Sequence, residues 1–194
     1  MAEVNQRGAS GDYRRRLMEG MSAAVAERGY ADTTIADIVR HARVSRRTFY
    51  EQFASKEACL LALYVAASER GIRAIGAAVE TSGDRETQIA RATEAYLARM
   101  QAHPVLTRTL ILEILAAGPA GLQVRREINQ RYADQFRGVV QRHGGHLSPE
   151  LATAAVGGIN ELILQAVLDD RIDRLTELAA PASQLIRAVL AVES

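Results

Sequence analysis

Apolar residues recur along this chain at helical spacing. Ile35, Ile38 and Val39 fall at i, i+3 and i+4 and share one face. Phe49 and Phe53 lie four residues apart and pack inward from a second short helix. Leu17, Met21, Ala24 and Val25 mark the buried stripe of an earlier helix over 13–28, closed by Gly29, after which Tyr30 packs back. Residues 1–11, with Arg7 among them, are polar and glycine-containing and read as a mobile arm. Thr34 stands where it caps the helix of Ile35, and Ser45 caps the helix of Phe49. Between them Ala42, Arg43 and Val44 fit a turn. Two helices of this length at a tight turn make a helix-turn-helix, whose second helix enters the major groove of DNA. The helix over 13–28 braces the pair, because two short helices alone bury too little surface.

Downstream the pattern stays helical. Ser55 opens a long helix to about residue 78, and Thr81 to Asp84 make a polar break. A helix over 85–101 follows. Pro104 begins another that carries Leu106, Leu110, Ile111, Ile114 and Leu115 to about residue 117, interrupted by Glu113. Gly118-Pro119 breaks it, and a helix over 120–142 leads to the loop His143 to His146. Ser148-Pro149 pairs a cap with a first-turn proline and opens a helix to about residue 168. The last helix lies between 175 and 192. Pro181 allows a start near Ala180 or breaks an earlier one. About nine helices result, and the expected class is all-α. The expected division is a three-helix DNA-binding domain over 1–55 and a larger helical domain over 56–194.

Composition changes this picture little. The 194 residues leave room for one large domain or two small ones, and 48% hydrophobic content supplies a core. Net charge is +1, so only local charge points to nucleic acid. Arg14 to Arg16, Arg40, Arg43, Arg46 and Arg47 crowd the first quarter, and Lys56 is the only lysine. The single cysteine, Cys59, sits in an apolar helical run and reads as a buried small hydrophobe. The N-terminus lacks a leader-like apolar segment, and no apolar run approaches the roughly 20 residues of a membrane span. The expectation is a cytoplasmic protein with no membrane partner.

The candidate chemistry is phosphate anchoring with base reading. Thr34 and Ser45 mark helix N-termini whose N–H groups suit phosphate, and Lys56 lies near a third. Arg46 and Arg47 can bind guanine O6 and N7 bidentately or hold phosphate, and Thr48 can contact either. Enzyme readings find little. His143 and His146 form an isolated H-x-x-H, and no phosphate loop, nucleophile elbow or Cys-x-x-Cys is present. No cofactor or metal is implied.

T-T-I-A-D-I-V at 33–39, V-S-R-R-T-F-Y-E-Q-F-A-S-K-E at 44–57 and the R-G-Y-x-x-T-T junction at 28–34 resemble the signature of the tetracycline-repressor (TetR) family of bacterial transcription regulators. The resemblance covers about fifty residues. It implies that Tyr50 touches phosphate and that the chain is a ligand-responsive regulator, most often a repressor, on a near-palindromic double-stranded operator. Arg43 departs from it, since glycine is usual in this turn, and a left-handed residue there costs a non-glycine roughly 1–2 kcal/mol.

The resemblance also implies a homodimer through the last two helices. Ala155, Ile159, Leu162, Leu185 and Val189 are the candidate contacts, and an intramolecular core is the alternative. It further implies a small-molecule effector pocket in the body. The polar candidates are Tyr96, His103, Glu113, Tyr132, Asn160, Glu161 and Gln165, each of which also has a purely structural reading. The rival class is a helical small-molecule carrier or enzyme that no longer reads DNA.

Overall fold

Helix caps and apolar stripes resolve into nine α-helices among the described residues, with no strand among them. The structure is a computed structural model, and it describes residues 2–80 and 83–192. The helices are α1 (Ala2–Asp32), α2 (Ile35–Ala42), α3 (Arg46–Gln52), α4 (Lys56–Glu80), α5 (Arg85–Gln101), α6 (Pro104–Leu112), α7 (Gly118–Arg142), α8 (Pro149–Leu168) and α9 (Ala179–Val192). Two 3-10 segments, Leu115–Ala117 and Ile172–Leu178, precede α7 and α9. The all-α class and the helix count follow the sequence pattern.

Several boundaries differ from expectation. Helix α1 begins at Ala2, so the polar stretch expected as an arm is helical. The side chain of Arg7 lies outside the described residues, as do Thr81 and Ser82 of the expected polar break. Gly29 breaks α1 with φ 75° and ψ 163°, a conformation that needs glycine. Helix α6 stops at Leu112, short of residue 117. Gly121 of α7 passes so close to the following turn that a Cβ would stand 2.0 Å from the Ile114 carbonyl oxygen. Pro181 settles in the first turn of α9, where its missing N–H is harmless.

Two compact units emerge. The first comprises Met1–Ala66 with Arg108–Val124, and the second Ala67–Thr107 with Arg125–Ser194. This division differs from 1–55 and 56–194: the border falls inside α4, and the segment around Glu113 belongs with the N-terminal helices. Within the first unit, Glu113 Oε2 accepts a hydrogen bond from the Tyr30 N–H at 3.1 Å. That bond ties residues 83 positions apart, beyond the reach of any periodicity.

In the second unit, Ala133, Val139 and Val140 of α7 pack with Ala152 of α8 and Ile186 and Leu190 of α9. One expectation is corrected here. By length and composition, Pro149–Leu168 and Ile172–Val192 are each apolar enough to cross a membrane, although no run was expected to be. Composition explains why: scattered polar residues such as Asn160 and Glu161 do not lower the average enough. Both stretches still pack into this unit, through Ala152, Ala155 and Ile163 and through Leu175, Ala182 and Ile186.

Candidate functional site

The first unit builds a small helical head from caps and clamps. Thr34 Oγ1 accepts the Asp37 N–H at 3.2 Å, and Asp37 Oδ2 accepts the Thr34 N–H at 3.0 Å. This reciprocal capping box fixes the start of α2, with aspartate in the place usually held by glutamate or glutamine. The Thr34 hydroxyl also donates to Asp37 Oδ2 at 2.6 Å, and this bond, with that from the Thr34 N–H, holds the Asp37 carboxyl below the usual carboxylate range. Ser45 caps α3: its Oγ accepts the Thr48 N–H at 3.0 Å and lies 2.9 Å from the Thr48 hydroxyl. Phe49 is fully buried and Phe53 nearly so, which points the other faces of α3 outward.

The turn adopts the conformation the sequence made costly. Arg43 is left-handed, with φ 53° and ψ 48°. Its N–H reaches the Arg40 carbonyl at 3.3 Å, and the Val44 N–H reaches the Val39 carbonyl at 3.1 Å. These two bonds make a Schellman closure, normally built on glycine. Arg16 of α1 completes it, with Nη2 donating to the Ala42 and Arg43 carbonyls, each at 2.7 Å. Arg14 does the same for α3: Nη1 donates to the Gln52 carbonyl at 2.9 Å, and the guanidinium lies 4.3 Å from the Phe53 ring centroid. Arg15 pairs with Asp12 and Glu19 on its own helix. The arginine run at 14–16 is therefore largely scaffold, with two members capping the C-terminal ends of both head helices. Gly20 lets α1 and α2 touch, since a Cβ there would stand 2.6 Å from the Ile38 carbonyl oxygen.

What remains outward is a short cationic and phenolic face. Arg46 is exposed, and no described residue pairs with it. Arg47 is 89% exposed and bonds Glu51 through Nε at 3.0 Å, a surface pair that is easily exchanged. Tyr50 is 58% exposed, its ring edge-on to Phe49 at 5.5 Å. Arg43 is exposed on the turn itself. The structure thus brings Arg43, Arg46, Arg47, Thr48 and Tyr50 together around α3, and it uses the Thr34 and Ser45 hydroxyls as caps.

Lys56 is placed differently from the phosphate contact expected of it. Its Nζ donates to the carbonyls of Tyr30 at 2.8 Å, Ala31 at 3.2 Å and Thr33 at 2.8 Å. It also lies 4.4 Å from the Tyr30 ring centroid. An ammonium has three protons, and these acceptors take them all. Lys56 braces the link between α1 and α2 from the first turn of α4. Cys59, just beyond, is buried; its thiol donates to the Leu17 carbonyl, and burial pushes its pKa up to about 12.

The second unit holds a cavity of about 90 Å³ whose walls are apolar apart from a few neutral side chains. Of the sequence candidates, Tyr96, Tyr132 and Asn160 line it. Tyr96 donates to Asn160 Oδ1 at 3.3 Å, and the two tyrosine rings lie 5.3 Å apart. Four candidates lie elsewhere. Glu113 belongs to the first unit, His103 is exposed before α6, and Glu161 and Gln165 bond each other on the exposed face of α8 at 2.8 Å. Helical phase separates them: Asn160 and Glu161 are neighbours in sequence and point apart. Thr93 and Gln135 line the cavity and escaped the sequence reading, though Gln135 sits beside Phe136 and four residues before Val139.

Among the candidate dimer contacts, Ala155 is 1% exposed and lines the cavity, so its side chain is core and not surface. Ile159 also lines the cavity, half-buried. Leu162, Leu185 and Val189 are half-buried, and Leu185 fills the space over Gly158.

Residues 21–63 match the model of the bacterial regulatory proteins of the tetR family. No curated protein matches the chain in sequence. Solved structures share the fold. The fatty acid degradation regulator FadR of Bacillus halodurans superposes with a TM-score of 0.80 at 20% identity, over 89% of this chain and 96% of that one. FadR of Bacillus subtilis, solved in complex with stearoyl-CoA, gives 0.79 at 19% identity, over 91% and 97%. A TetR-family regulator from Mesorhizobium loti gives 0.71 at 18%, over 94% and 97%.

Proposed function

We propose that this TetR-family transcriptional regulator is a repressor that binds a near-palindromic operator as a homodimer and leaves it when a small molecule enters the second unit. The observation that carries the reading is the outward face of α3. Arg46, Arg47 and Tyr50 are exposed there, while every helix end around them is capped from within. Arg46 and Arg47 read base edges, and Arg47 first releases Glu51. Tyr50, Thr48 and Arg43 hold phosphate, together with first-turn N–H groups of α2 and α3.

Two copies meet both half-sites only at one spacing, so a small shift of the heads is enough to lower affinity. The covering of α8 and α9 supports dimer formation. Only 28% of each of their apolar windows is buried, and Leu168 and Val192 are 59% and 74% exposed. A second copy would cover such surface and keep the protein soluble in the cytoplasm. The cavity supports the effector reading, because a mostly apolar space with few polar groups is the usual form of a ligand site. One FadR neighbour carries stearoyl-CoA; a cavity of about 90 Å³ would have to open widely for so long a chain.

Footprinting on the DNA upstream of the protein's own gene tests the reading. The expected result is protection of two half-sites about one helical turn apart, with affinity falling steeply as salt rises. Binding that is weak and indifferent to sequence would favour the rival, a helical small-molecule protein that does not read DNA.

A further inference from the structure

We propose that the cavity of the second unit takes a small, uncharged aromatic molecule that brings a hydrogen-bond donor to Gln135. The inference rests on the reading of this cavity as the effector site and names the chemistry it selects. No charged side chain lines the cavity. Its polar members are Thr93, Tyr96, Tyr132, Gln135 and Asn160, and each already donates inside the protein. The Thr93 hydroxyl donates to the Ile89 carbonyl at 2.9 Å, and the Tyr132 hydroxyl to the Ser68 carbonyl at 3.1 Å. Tyr96 donates to Asn160, and Asn160 Nδ2 to Asn129 Oδ1 at 3.1 Å. Gln135 Nε2 donates to the Ile72 carbonyl at 3.0 Å.

That last bond identifies which end of the Gln135 amide is oxygen. Its Oε1 is closed off from solvent and no described residue donates to it, so a ligand meets it only when the Gln135 side chain turns toward the cavity. A buried acceptor left without a donor is costly, and a ligand that supplies one recovers the loss. A carboxylate or phosphate would do the reverse. It would carry several acceptors and a charge into walls that hold no cation and offer it at most the second amide protons of Gln135 and Asn160.

Size and lining narrow the ligand further. About 90 Å³ between Tyr96, Tyr132 and Phe136 suits a single ring, edge-on or offset against the aromatic walls. One neighbouring cleft provides the rival. It shares Gln135 and Val139 with the cavity and adds Gln88 and Arg142, so an anionic ligand would find its cation there.

The test uses the full chain and three probes of one shape: phenol, toluene and benzoate. Binding is read by calorimetry and by the methyl signals of Ile159 and Ile186. Phenol is expected to bind at least about tenfold more tightly than benzoate. Its preference over toluene is expected to fall at least about fivefold in Gln135→Met, which keeps the side-chain length and removes the acceptor. Ala155→Phe, which fills the cavity, should abolish phenol binding; its melting curve shows whether it folds, and the Gln135→Met ratio stands without it.

Three results overturn the proposal. One is benzoate binding as tightly as phenol and weakening in Arg142→Ala. Another is a phenol-to-toluene preference unchanged in Gln135→Met. The third is no binding of any probe. Footprinting without ligand is run alongside. Intact operator binding with failed probes removes the ligand class and leaves the regulator, whereas bound phenol with no operator binding removes the regulator reading and leaves the site.

Discussion

The two units treat polar groups in opposite ways. In the head, side chains from α1 and α4 converge on backbone carbonyls: Arg14 on α3, Arg16 on the turn, Lys56 on the link between α1 and α2. Helix C-terminal carbonyls are otherwise left to water, and a cation there also suits the helix dipole. In the second unit the polar groups of the cavity wall are neutral, and one acceptor, Gln135 Oε1, has no donor among the described residues. The first arrangement fixes a geometry. The second leaves room and an unmet bond.

Core truncation should separate the units most. Phe49→Ala empties a fully buried position and is expected to cost about 3–5 kcal/mol in chemical denaturation. Phe136→Ala, beside space that already exists, should cost less than half of that. Equal losses would mean that the cavity wall is packed as tightly as the head. A middling effect sharpens the role of Lys56. Lys56→Met leaves three carbonyls without their cation and should lower stability by about 1.5–3 kcal/mol. The salt dependence of operator binding should keep its slope, since a lost phosphate contact would reduce it by about one. A shallower slope with unchanged stability would return Lys56 to the DNA. The smallest effect is a gain. Arg43→Gly relieves the left-handed turn and should raise stability by about 1 kcal/mol. Glycine also has more freedom to lose on folding, which trims the gain. A loss of stability in thermal melts would show that the Arg43 side chain supports the turn.

Much of the head was legible in the sequence because its determinants are local. Thr34 and Ser45 cap within three residues of themselves, and Phe49 and Phe53 mark one helical face. The capping box was also readable, since Asp37 stands three residues after Thr34. The arginine run at 14–16 was misleading for the opposite reason. Charge in a sequence says that a cation is present, but not whether it meets phosphate or a carbonyl of its own chain. The cavity was half legible. Tyr96, Tyr132 and Asn160 belong to it, whereas Glu161 and Gln165 fall on the other side of α8.

The sequence by itself determined the helices, their caps, the turn that turns left-handed at Arg43 and the outward face of α3, all set by interactions spanning a few residues. The tertiary structure decided what long side chains do. Arg16 reaches 26 residues along the chain to Ala42, Lys56 reaches back 26 to Tyr30, and Tyr30 meets Glu113 across 83. A flexible cation or carboxylate has many possible partners, and only the packing of helices selects among them. For that reason the helix-turn-helix and its outward face were visible along the chain, while the clamps that hold this face and the unmet acceptor of Gln135 were not.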